Sequence, residues 1–152
     1  MKIRFNIWMI FLAAMMGLIG LAYAQNAGPK AEKTITLETG EVVPNLSGEW
    51  DAVIENYGFS FRTQRGSYNN IIKIIQEGNL FKAIRLEDDI KLPNKAKGSM
   101  FMQGELDKNG FKKVYFVDRA ARLLPCTGQI DASRDKINID EGFFVKATLT
   151  RK

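Results

Sequence analysis

From Leu46 to the C-terminus, apolar and polar residues alternate in short runs, the period of two expected of strands with one buried face. In residues 47–57, Trp50, Ala52 and Ile54 fall on one side, and Glu49, Asp51, Val53 and Glu55 on the other. Isoleucine-rich residues 68–76 and their partner 80–86 flank the turn signal Glu77-Gly78-Asn79 and predict a hairpin. Residues 99–106 and 111–118 predict a second hairpin, with Asn109-Gly110 at its tip, where positive φ is cheap. Residues 127–132 and 136–140 predict a third, around Ser133-Arg134-Asp135. In the last strand, 143–151, Phe143, Val145, Ala147 and Leu149 alternate with Phe144, Lys146, Thr148 and Thr150. A short apolar piece surrounds Ile90-Lys91-Leu92, and residues 119–124 predict one helical turn that Pro125 stops.

That reading yields eight strands joined mostly by short turns, so sequence neighbours pair and the simplest topology is an up-and-down meander. Closing the meander into a barrel removes its two exposed edges. The fold class predicted is therefore all-β, an eight-stranded antiparallel up-and-down barrel, with a two-sheet sandwich as its rival. Eight strands enclose a space that side chains fill or that one small ligand occupies.

The pattern before residue 46 is different. A basic start, Met1-Lys2-Ile3-Arg4, leads into a mostly apolar run from Ile7 to Leu21 and then Ala22-Tyr23-Ala24. These are the three parts of a secretory signal peptide, cleaved after Ala24. Residues 25–45 read as a flexible tail containing a short edge strand at Thr34-Ile35-Thr36-Leu37, and residues 46–152 as the barrel domain. No later apolar stretch approaches the roughly 20 residues that span a bilayer. The expected address is secreted or periplasmic.

Charge and composition narrow the chemistry. The net charge is +5, but Lys2 and Arg4 belong to the leader, and the remaining charges are well mixed. Together with export, this argues against a nucleic-acid partner. Histidine is absent and Cys126 is the sole cysteine. Histidine-based triads and thiolate metal clusters are thereby excluded for one chain. Cys126 reads as a buried, inert thiol, with an intermolecular disulfide or a reactive group as alternatives. Glu87-Asp88-Asp89 lacks the spacing of a calcium loop and reads as a solvated turn. We expect no metal, no cofactor and no enzymatic activity.

The segment Leu46-Ser47-Gly48-Glu49-Trp50 carries a family likeness. A Gly-x-Trp opening the first strand of such a meander resembles the calycin group: lipocalins and avidin-like or fatty-acid-binding-like barrels. The resemblance covers this motif and the meander from about residue 46 to 152. It implies that Trp50 plugs the closed end of the barrel and that Arg151, just past Leu149, stacks across it. Gly48, Trp50 and Arg151 are then structural. The lipocalin Thr-Asp-Tyr signature is missing, and Trp50 is the only tryptophan after the leader.

Three functional readings follow. In the first, the barrel binds a hydrophobic or amphipathic small ligand. The loop after the first strand brings Tyr57, Phe59 and Phe61 together with Arg62 and Arg65, aromatics to hold an apolar body and guanidiniums to meet an acidic head. Met100 and Met102 fall with Gly104 on one strand face, and the two methionines, with Trp50, complete the candidate ligand contacts. The bland counterpart is that Phe59 and Phe61 pin the loop, the arginines are wet and the methionines fill the core. In the second reading the chain is an envelope protein-interaction module or inhibitor acting through its N-terminal tail or loops. A non-catalytic structural domain is the third.

Overall fold

The computed structural model describes residues 32–56, 66–88, 96–118 and 120–152. Its strands are β1 (Thr34–Thr36), β2 (Val42–Pro44), β3 (Gly48–Asn56), β4 (Gly66–Glu77), β5 (Leu80–Arg85), β6 (Met100–Asp107), β7 (Gly110–Val117), β8 (Leu123–Ile130), β9 (Lys136–Asp140) and β10 (Val145–Arg151). Strands β3 to β10 pair antiparallel in sequence order, and β10 returns to β3 to close an eight-stranded barrel. The pairing of Arg151 with Trp50 and of Val145 with Asn56 sets the closing register. The eight barrel strands are those that the alternation predicts. No helix among the described residues is long and apolar enough to cross a membrane.

Alternation decides which face is inside. On β3, Trp50, Ala52 and Ile54 are buried while Glu49, Asp51, Val53 and Glu55 are exposed. Ile72 and Ile74 of β4, Phe81 and Ala83 of β5, Met102 and Leu106 of β6, Val114 and Phe116 of β7, Ile137 and Ile139 of β9, and Ala147 and Leu149 of β10 complete the buried wall.

The structure departs from the sequence reading at four places. The segment read as a tail is folded from residue 32 onward, within the compact unit Glu32–Lys152. There β1 and β2 form a hairpin, with Val43 and Pro44 buried. Gln76 ties this hairpin to the barrel: its Nε2 donates to the Pro44 carbonyl at 2.9 Å, and its Oε1 accepts from the Leu46 N–H at 2.7 Å. The helical turn predicted before Pro125 gives way to strand, because β8 begins at Leu123 and runs through the proline. Strand β9 pairs only with Thr127 to Ile130, so Pro125 has a ladder partner on the β7 side alone, an edge position that tolerates a missing N–H.

Phe143 does not begin the last strand and is 75% exposed. Gly142 turns the chain at φ +94°, and the Glu141 carboxylate accepts from the N–H groups of Phe143 and Phe144. Finally, Met100 and Met102 do not share a face. A β-bulge opposite Ala83 and Ile84 inserts Phe101, which is buried beside Met102, while Met100 pairs with Ile84 and is only half-buried. The short apolar piece around Ile90 lies outside the described residues.

Candidate functional site

The barrel's two ends differ in kind. At the end where β3 begins and β10 finishes, Trp50 is fully buried and its indole N–H donates to the Leu46 carbonyl at 2.9 Å. The Arg151 guanidinium lies over the indole, 4.4 Å from the ring centre. Arg151 also donates to the carbonyls of Ser47 (2.9 Å) and Asn45 (2.6 Å), and its Nε is 3.6 Å from the Asp135 carboxylate. Burial lowers the guanidinium's pKa, and the Asp135 charge acts in the opposite direction. Gly48 passes beside it at φ +127°, where a side chain is strained. Leu46 and Val43, both fully buried, complete the plug. These contacts plug this end around Trp50.

At the opposite end, where β3 finishes and β10 begins, the inward positions are incompletely covered. Tyr68, Leu124, Cys126 and Val145 pack against the core yet are only half-buried. The short β9 explains part of this: it stops at Asp140 opposite Thr127, so Leu124 and Cys126 extend past it. These four side chains form an apolar rim, termed the vestibule below, and Ile54, Phe116, Ile139 and Ala147, all buried, lie inward of it.

Two polar side chains sit within the wall below it. Asn70 is 3% exposed and Arg85 is 1% exposed. Arg85 shares the inward parity of Phe81 and Ala83 and pairs with Ile72. Its Nη1 donates to the Met100 carbonyl at 2.8 Å and to the Ser99 hydroxyl at 3.2 Å, and its guanidinium centre lies 4.9 Å from the centre of the Phe101 ring. Phe101 meets Phe116 edge-on at 5.2 Å, and Phe116 is the strand partner of Leu124. Sequence reading missed both residues. The signal was available: on β4 and β5 they occupy the parity of buried apolar neighbours.

Of the residues that the sequence nominated, Trp50 lies in the plug, Met102 in the packed core and Met100 on the bulge. Tyr57, Phe59, Phe61, Arg62 and Arg65 lie outside the described residues. Among the described residues no three His, Cys, Asp or Glu side chains gather where they could hold a metal ion.

Cys126 lines the vestibule as a neutral thiol. Burial pushes its pKa up to about 11 from 9.0, although the Phe116 backbone N–H favours the thiolate. Two units of pKa remove about 99% of the thiolate present in an ordinary thiol well below both values. Iodoacetamide at pH 8 should therefore modify the native protein about a hundredfold more slowly than the urea-unfolded chain. The rate should climb as pH passes through 11. Equal rates in the two states contradict this placement.

No family model, curated protein or solved structure is significantly similar to this chain. The functional reading therefore rests on the barrel itself.

Proposed function

We propose that the chain is an exported, calycin-like carrier that takes a hydrophobic or amphipathic small molecule into the half-open end of its barrel. The observation that carries this reading is the half-buried group of inward apolar side chains, Tyr68, Leu124, Cys126 and Val145, at the end remote from Trp50. A packed floor, a few polar groups and apolar walls are the ordinary make-up of a small-molecule site. The leader in residues 1–24 supports export, and the Trp50–Arg151 stack supports the calycin likeness. The role is binding without chemistry.

The competing reading, an inhibitor whose N-terminal tail enters a target, loses its longest segment. Lys33 pairs with Asp135, and the Lys33 carbonyl accepts from Arg134, so residues 32–45 are held to the barrel. A deletion that tests the tail must therefore stop at residue 31.

The carrier reading is tested with N-phenyl-1-naphthylamine, an apolar dye that brightens out of water. Purified protein should bind it saturably, and a long-chain alcohol should displace it. Cys126→Phe, which fills the vestibule, should weaken binding at least tenfold while near-UV circular dichroism stays native. Dye binding that never saturates, or that ignores Cys126→Phe, overturns the reading.

A further inference from the structure

Asn70 adds chemistry that the apolar walls do not. It faces into the barrel from β4, with the inward parity of Ile72 and Ile74. Its Nδ2 donates to the Glu87 carbonyl at 3.4 Å, which fixes the orientation of the amide. Its Oδ1 is then buried and has no hydrogen-bond partner. A buried acceptor left unpaired is costly, so such groups ordinarily find a donor. The strand neighbour across from it is Ala52, whose methyl group is small beside the inward Trp50 and Ile54 on either side of it. Toward the half-open end the next inward residue of β4 is Tyr68, part of the vestibule wall.

We infer that the polar end of the ligand carries a hydrogen-bond donor, a hydroxyl or an amide N–H, and that Asn70 Oδ1 accepts it. The inference rests on the carrier reading and deepens it, because it assigns the class of molecule: an apolar body ending in an alcohol or amide, rather than a group that only accepts. Binding then satisfies a buried oxygen that no protein donor reaches, and an isosteric ligand without a donor keeps that penalty.

The test compares two isomers of equal size, 1-undecanol and decyl methyl ether, as displacers of N-phenyl-1-naphthylamine from the purified protein. The alcohol should displace the dye at a concentration about tenfold or more below that of the ether. Asn70→Leu should erase that preference by weakening the alcohol alone. Asn70→Asp should keep it, since burial holds the carboxyl protonated. Its O–H then replaces the Nδ2 donor and its carbonyl oxygen remains free to accept. Equal displacement by the two isomers in the unmutated protein means that Oδ1 does not read the ligand, and overturns the inference while the carrier reading stands. A preference that survives Asn70→Leu overturns it equally. Absence of saturable dye binding takes down both. Should Asn70→Leu fail to fold, the comparison of isomers on the unmutated protein and on Asn70→Asp still decides.

Discussion

Trp50→Ala should remove about 4 kcal/mol of stability, enough to bring a domain of this size near unfolding at room temperature. The indole is fully buried at the plugged end, so truncation leaves a cavity that the barrel wall cannot collapse into. It also strands two partners. The Leu46 carbonyl loses its donor at 2.9 Å, and the Arg151 guanidinium loses the ring 4.4 Å beneath it. Trp50→Phe keeps most of the volume and a ring for Arg151 but deletes the indole N–H, and should cost about 1–2 kcal/mol. Urea denaturation followed by far-UV circular dichroism gives both values. An alanine variant within 1 kcal/mol of the parent means that the indole is not the plug.

Gly104→Ala should be comparably damaging, for a different reason. Glycine is required there by crowding. A Cβ at this position falls 2.2 Å from the Lys113 carbonyl oxygen of the adjacent strand and 2.8 Å from the Phe81 ring. The ring has some freedom to turn, but the carbonyl belongs to the β6–β7 ladder, and moving it breaks pairing on either side. Overpacking of this sort costs about 1–3 kcal/mol, and a clash with backbone belongs at or above the top of that range. Gly98→Ala is the control. Its φ is +83° with nothing within 4 Å, so only conformational strain opposes the methyl group, worth about 1 kcal/mol. Equal losses at the two sites contradict the close approach of Phe81 and Lys113.

How much of this was legible before the structure depends on what each residue signals locally. The eight barrel strands could be read because each is half-buried: Trp50-Asp51-Ala52-Val53-Ile54 states its two faces outright, and Gly78 and Gly110 mark turns by their positive φ. The plug was legible through the Gly48-x-Trp50 motif and its partner Arg151. The hairpin of residues 34–44 was only half visible, since two strands of three residues are too short to show a period, and Gln76, which ties Pro44 to the barrel, is 32 positions away. Phe101 was unreadable for another reason. A bulge shifts parity by one residue and leaves no local mark in Ser99-Met100-Phe101-Met102. The candidate site fell between these cases. The sequence drew attention to arginines and aromatics of a connecting loop, whereas the polar groups inside the wall are Asn70 and Arg85. Both sit at inward parity, where a polar side chain breaks the apolar pattern and so carries the stronger functional signal.

The central claim is that the end remote from Trp50 admits a ligand while the plugged end does not. Amide proton–nitrogen NMR spectra recorded during titration with N-phenyl-1-naphthylamine test it directly. The account predicts saturable shifts at Tyr68, Asn70, Leu124, Cys126 and Val145, with the Trp50 indole resonance unmoved. Shifts centred on Trp50 and Arg151, or no saturable shift at any amide, contradict it.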